Sequence, residues 1–447
     1  MRIRLFQTTK GKPFWQETDL PVRRSAGTRR YIELQPEKTY QPFLGLGTDI
    51  NGCSCVNLLE MGQQRRNETL QLLFDREKGA GFTLLRDDIG SSDFTFARYA
   101  LAEKPGDTEL ESWDFSREEE YLLPVLKEIY AIAPDTRLLG SPWSPPGWMK
   151  DTGRMVGPGG RLLPEYYPTY AEYLTRYILD MQAHGQLVDY ITTQNEVRAD
   201  HGGKYPMCQC LYTPDEERDF IKYHLIPSLD AAGLYTKVWL FDHNWNMAYY
   251  PDRILSDKEL RPRIDGVAWH HYGGSPRVMT CMAEKYPGIR QYITEGQLAP
   301  FRRAPGSRGT SLARCLKCGA GSYIMWVMVL NEIGGPGEGP FMVARDPEDF
   351  RSFDVCLWNR KTQSVVVNET VGIMGQYSRY IERGALRIAS TEFLDSVAFR
   401  NPDGKLVLVV ENNRYPGERF DFSIRLHGHS VPASVPPFTV QTYLLEA

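Results

Sequence analysis

The sequence predicts an α/β chain, a (β/α)8 TIM barrel with a side β-sandwich built from both termini. Three observations predict it. Through the middle of the chain, short apolar strands alternate with amphipathic helices. Both ends carry strand patterns with no helical period between them. No low-complexity linker separates the ends from the middle, so both ends are expected to pack as one sandwich against the barrel.

Residues 1–40 are assigned to the first strands of the sandwich, beginning with RIRLFQTT at 2–9. Residues 41–365 are assigned to the barrel, whose strands are expected to end near Gly47, Asp88, Pro142, Asn195, Asp242, His270, Thr294 and Trp326. SYIMWVMVL, apolar throughout, reads as one strand running through Trp326. Two helices carry clear signals. Tyr170, Tyr173, Leu174, Tyr177, Ile178 and Met181 recur at helical spacing before a stop at Gly185. Thr213, Pro214 and Glu216 form a capping box with proline at the first helical position. Residues 366–447, after a last barrel helix near 369–381, complete the sandwich. There SVAFRNPDGKLVLVVEN reads as strand, turn at Asn401–Gly404, strand. Phe420, Phe422, Ile424 and Leu426 share one face of the next strand, and FTVQTYLLE at 438–446 closes the set.

The composition excludes some function classes. A net charge of −4 over 447 residues argues against a general polyanion binder, so no nucleic-acid partner is expected. No apolar run is long enough to span a bilayer. The start, MRIRLFQTTK, has charge but no apolar core behind it; a cytoplasmic location is expected, with a secreted protein whose signal has been removed as the alternative. The 9 Trp and 25 Tyr suit the stacking floor of a sugar cleft or a large core equally. Cys53/Cys55, Cys208/Cys210 and Cys315/Cys318 are close pairs; free thiols are expected, with a zinc site as the alternative. No metal and no cofactor is assigned.

In such barrels the active site lies at the C-terminal mouths of the strands. Here those positions carry Arg86-Asp87-Asp88, Trp143, Asn195-Glu196, Asp242-His243-Asn244, His270-His271-Tyr272, Glu295 and Trp326. Glu196 ends ITTQNE and Glu295 ends RQYITE, on the fourth and seventh strands. Glycoside hydrolysis requires such a pair of carboxylates, one to protonate the leaving oxygen and one to attack the anomeric carbon or activate water. The alternative is that each is a solvated or salt-bridged strand end. His270 and His271 raise a metal reading too, but adjacent strand residues point to opposite faces, so one is expected inside the barrel and the other outside.

GSPWSPPGWMK at 140–150, TQNE at 193–196 and ITEG at 293–296 resemble glycoside hydrolase family 30, the family of glucosylceramidases and β-1,6-glucanases. FLGLGTDINGC at 43–53, IGSSDF at 89–94, HGGKYPMC at 201–208, DHNW at 242–245, VAWHHY at 267–272 and WVMVLNEIGGP at 326–336 fit in order. The resemblance covers nearly the whole chain. It implies a retaining mechanism on a β-D-glucoside or related β-linked sugar, with Glu196 as acid/base and Glu295 as nucleophile. It also implies that Asn195 bonds the sugar's 2-hydroxyl and that Asp93 grips hydroxyls on the far side of the ring, a helix N-cap being the alternative for Asp93. Trp143 and Trp326 would wall the subsite, or pack the core. Arg86 would steady the nucleophile, and Tyr272, with His270 in a His-x-Tyr pattern, would hold its rotamer.

The sequence departs from the family's pattern at Val197, where proline usually follows the acid/base, at Gly296-Gln297 after the nucleophile, and at Glu103, where relatives carry Asp. Arg302, Arg303 and Arg308 would line a plus subsite or form a solvated loop. Within the enzyme class an endo-β-1,6-glucanase, a β-xylosidase or a β-fucosidase are the alternatives. Outside it stand a catalytically weak carbohydrate-binding protein on the same barrel and a metal-dependent hydrolase, which a chelator would inactivate. The partner expected is a carbohydrate; the oligomeric state has no signature in the sequence.

Overall fold

The computed structural model describes residues 2–20, 30–157, 159–198, 207–298, 311–337, 355–412 and 417–446. Eight parallel strands close into a barrel in chain order: β1 (Gly45–Asp49), β2 (Leu84–Asp88), β3 (Arg137–Ser141), β4 (Tyr190–Thr192), β5 (Lys237–Asn244), β6 (Ile264–His270), β7 (Arg290–Gly296) and β8 (Ala320–Met325). These lie where the alternating pattern placed them. A second sheet has nine strands drawn from both termini and folds over itself into the sandwich. Its long strand Tyr31–Pro42 pairs with Phe420–Leu426 at one end and with Leu386–Ser390 further along, through register shifts that bend it. Arg2–Thr9 pairs along its whole length with Thr439–Glu446, which brings the two ends of the chain side by side.

Period-two patterning decides which face each sandwich strand buries. Phe422, Ile424, Leu408, Val410, Tyr443 and Leu445 fill the space inside the sandwich. The alternate residues Val407, Val409, Val397, Phe399 and Val440 face the barrel and join its core. Two helices form the joint. Tyr377, in the helix Glu369–Ser378, donates its hydroxyl to the buried carboxylate of Glu411 on the sandwich. The same carboxylate accepts the backbone N–H of Ala313, at the start of the helix Leu312–Lys317.

The helix Tyr167–Ala183 buries every residue of the predicted apolar face, and the capping box at Thr213 forms as read, with Thr213 and Glu216 each bonding the other's backbone N–H. SYIMWVMVL, however, is not one strand. β8 ends at Met325, and Val329–Asn331 leaves the barrel to pair with Cys356–Asn359 in a small sheet completed by Ser364–Val367. An apolar run cannot report this break, because both pieces are buried. Among the described residues no helix is long and apolar enough to cross a membrane, and all eight cysteines carry free thiols.

Candidate active site

Inward positions alternate along each strand, so Leu84, Arg86 and Asp88 of β2 face the barrel axis at rising heights. Arg86 sits fully buried below the C-terminal mouth. Its Nη1 donates to Glu295 Oε2 at 2.8 Å, and its Nη2 donates to Asn195 Oδ1 at 2.6 Å and Asp242 Oδ2 at 2.9 Å. One guanidinium thus ties together β2, β5, β7 and the segment after β4. Its face stacks over Trp143, with 4.5 Å from the guanidinium carbon to the ring centroid.

Asp242 is the other hub. Its Oδ2 accepts from Arg86, Ser141 and Thr192, each at 2.9 Å, and its Oδ1 accepts from His270 Nε2 at 3.0 Å and from Thr294. Burial alone would favour the neutral acid, but Arg86 and His270 outweigh it and hold the Asp242 carboxyl far below its usual range. Burial likewise disfavours charge on His270, yet the carboxylates of Glu295, Asp242 and Glu196 outweigh it and raise the imidazole to about 10. At neutral pH the centre of the site therefore holds two buried cations among the carboxylates.

The nine residues singled out in the sequence converge here. Glu196 and Glu295 face one imidazole nitrogen: His270 Nδ1 is 3.2 Å from Glu196 Oε1 and 3.8 Å from Glu295 Oε2. The two carboxyl oxygens therefore stand no further apart than those two distances laid end to end. Retaining glycosidases separate their carboxyls by about 5–5.5 Å and inverting ones by about 6.5–9.5 Å. Asn195 has its oxygen committed to Arg86, which leaves its amide N–H groups as donors. Tyr272 lies against Glu295 without the alignment of a full hydrogen bond, and burial together with that charge pushes its phenol pKa well up. Trp143 and Trp326 stack on each other, 5.2 Å between centroids and 24° between planes, both buried. Asp93 is buried beside Glu295 and Asp88, and burial first, then those charges, push its carboxyl well above the usual range. No helix starts at Ser91–Asp93, so the capping alternative for Asp93 is removed.

The two histidines of VAWHHY divide as alternation requires. His270 points into the site, while His271 accepts the Gln297 backbone N–H on Nε2 at 2.7 Å and bonds the Tyr323 hydroxyl through Nδ1. Burial, with the neighbouring His270 charge, lowers His271 to about 3.

Sequence reasoning gave no role to Asp242 or His243, and local backbone geometry is the reason. Phe241 and Asp242 both have left-handed φ, 79° and 49°, and the register of β5 against β6 slips between Leu240 and His243. This bulge breaks the alternation, so consecutive residues both face the site. His243 Nδ1 lies 3.3 Å from Glu196 Oε1. Glu196 is itself left-handed, with φ 50°, held by its own N–H donating to the Asp242 carbonyl at 2.9 Å. The buried Glu217 clamps both segments: its Oε1 accepts the Phe241 N–H at 3.0 Å and the Thr193 hydroxyl at 2.7 Å. Arg302, Arg303, Arg308 and most of HGGKYPMC lie outside the described residues.

Comparison with known proteins agrees with this geometry. The model of the glycosyl hydrolase family 30 TIM-barrel domain matches residues 43–297, and that of the family's beta sandwich domain matches residues 384–443. An endo-1,6-beta-D-glucanase of Neurospora crassa is 29% identical over 407 residues, covering 85% of this chain and 81% of that protein. The lysosomal acid glucosylceramidase of Mus musculus is 26% identical over 451 residues, covering 94% and 84%. The crystal structure of SrfJ from Salmonella typhimurium superposes with a TM-score of 0.90 at 26% identity, covering 100% of both chains.

Proposed function

The chain belongs to glycosyl hydrolase family 30 and is a glycoside hydrolase, and from that premise we propose that it cleaves β-D-glucosides by double displacement, with Glu295 as nucleophile and Glu196 as acid/base. The observation that carries this reading is the convergence of both carboxylates on His270 Nδ1, at 3.2 and 3.8 Å, which sets two acids across one cleft within a bound that includes the retaining separation.

Arg86 engages Oε2 of Glu295, so Oε1 is the attacking oxygen, and the guanidinium holds the carboxylate in its aim. Oε1 of Glu196 faces His270, so its other oxygen carries the proton delivered to the leaving group. In the first step Glu295 Oε1 bonds to the anomeric carbon as the C–O bond to the leaving group breaks and Glu196 protonates that oxygen. In the second, Glu196 takes a proton from water, whose oxygen displaces Glu295 and releases the sugar. Asn195 donates from its amide to the 2-hydroxyl, Asp93 accepts from hydroxyls across the ring, and Trp143 and Trp326 form the wall.

The endo-1,6-beta-D-glucanase and the glucosylceramidase are both named for glucose-containing substrates that differ in what the glucose is joined to, which supports a glucosyl residue at the cleaved position. The second reading, endo-action on β-1,6-glucan, rests on the glucanase relative. An activated 2-deoxy-2-fluoro-β-glucoside tests the mechanism: mass spectrometry should find the sugar attached to Glu295. Labelling elsewhere, or wild-type turnover by Glu295→Gln, overturns it. Parallel assays on aryl β-glucoside, β-xyloside, β-fucoside and β-1,6-glucan separate the substrate readings.

A further inference from the structure

We propose that Glu196, His243 and His270 together form an inhibitory site for a divalent cation of zinc's size and softness, whose binding takes the acid/base carboxylate out of the reaction.

The argument begins with which atoms hold protons. Tyr272 N–H donates to Asn244 Oδ1 at 2.9 Å, and this fixes the amide so that Asn244 Nδ2 faces His243 Nδ1 at 3.4 Å. That amide nitrogen is a donor, so His243 Nδ1 presents a lone pair. The same nitrogen lies 3.3 Å from Glu196 Oε1, another lone-pair atom. A cation between these two atoms would meet a lone pair from each.

The third ligand is oriented in the same way. His270 Nε2 bonds the buried Asp242 carboxylate at 3.0 Å, which places Nδ1 3.2 Å from Glu196 Oε1. A carboxylate holding one imidazole nitrogen while the other meets the ion is the usual support for a metal-bound histidine. Binding displaces the proton that the His270 imidazolium carries on Nδ1 at neutral pH, and that proton leaves to solvent.

The spacing fits as well. Tetrahedral ligands about 2.0–2.1 Å from zinc stand about 3.3 Å from one another. The two edges that meet at Glu196 Oε1 are 3.3 and 3.2 Å, and all three ligand atoms lie within 4.8 Å of one another. Two imidazoles and a carboxylate form the His2Glu set that zinc takes with one position open. Nitrogen ligands favour zinc, nickel or copper over magnesium and calcium. Glu295 next to the site adds negative potential without blocking it.

The inhibitory part rests on the reading of Glu196 as acid/base; the binding part does not. The test uses the full chain carrying Cys281→Ser, because Cys281 is an exposed thiol that would bind zinc by itself. After EDTA treatment and dialysis, the protein is titrated with ZnCl2 by calorimetry and with CoCl2 by visible absorption. One ion per chain is expected, with the intense d–d bands of four-coordinate cobalt. Affinity should fall at least tenfold in His243→Ala and in His243→Gln, which preserves the side-chain volume. It should fall by less in Glu295→Gln, which removes a nearby charge and no ligand, and MgCl2 should not compete. Aryl β-glucoside hydrolysis should fall over the same zinc range and recover with EDTA. Absence of saturable binding, or wild-type affinity in both His243 variants, overturns the site. Binding that depends on His243 but leaves hydrolysis untouched overturns the inhibition. Failure of the catalytic reading alone would appear instead as wild-type turnover in Glu196→Gln, with zinc binding judged separately by calorimetry.

Discussion

The two ends of the barrel are made by the same eight strands and do opposite work. At the N-terminal end the inward residues are Leu84, Leu139, Tyr190, Trp239, Ala268, Tyr292 and Ile324. Trp239 is stacked between Tyr292 at 3.9 Å and Tyr190 at 4.3 Å, and the Trp239 and Tyr292 polar tips both reach Asp265. At the C-terminal end the inward residues are Arg86, Asp242, His270 and Glu295, every charge held by another. The apolar end stabilises by burying ring surface. The charged end must offset the desolvation of each ion, so it adds little net stability while fixing geometry. A barrel can therefore concentrate reactive groups at one mouth because the other end is a plug of aromatic rings.

The strongest test of this contrast is at Glu295. Glu295→Gln should lower kcat on aryl β-glucoside by roughly 10³-fold or more while the urea midpoint moves by no more than about 1 kcal/mol equivalent. A comparable loss of stability would break the division of labour. Trp239→Ala should do the reverse, costing about 3–5 kcal/mol in urea denaturation while kcat/KM of the folded fraction stays near wild type. Asp93→Ala should lower kcat/KM about 10–100-fold, the cost of leaving a buried sugar hydroxyl without its partner, with KM carrying part of the loss. The smallest effect lies outside both ends. Glu118, buried and bonded by the Tyr99 hydroxyl, has its pKa raised to about 7, chiefly by burial. The folded chain thus holds this proton more tightly than the unfolded one, so stability is full below the unfolded carboxyl's range and falls as pH rises to about 7. Glu118→Gln should flatten that part of the stability–pH curve, as denaturant midpoints at several pH values will report.

Much of this was legible in the sequence. All eight barrel strands end within a few residues of the predicted positions, because each is a short apolar run followed by a polar residue at the mouth. The helix Tyr167–Ala183 and the Thr213 cap were legible for the same reason, since period and capping are local signals. Less legible was whatever depends on distant partners. The small sheet of Val329–Asn331, Cys356–Asn359 and Ser364–Val367 forms where an unbroken apolar run had read as one strand. Asp242 reads as a polar strand end until Arg86, Ser141, Thr192, His270 and Thr294 are seen to converge on it from five other strands. His243 was hidden because period-two reasoning sends the neighbour of an inward residue outward.

The slip at Phe241–Asp242 also has a bearing on how such a cleft can change. Removing one residue there would restore regular pleating, swing the imidazole of His243 toward the helical shell and leave the remaining strands in register. A single-codon deletion is therefore enough to take one side chain off this rim, and a single-codon insertion to add one elsewhere, so families built on this scaffold can trade rim chemistry without rebuilding the frame.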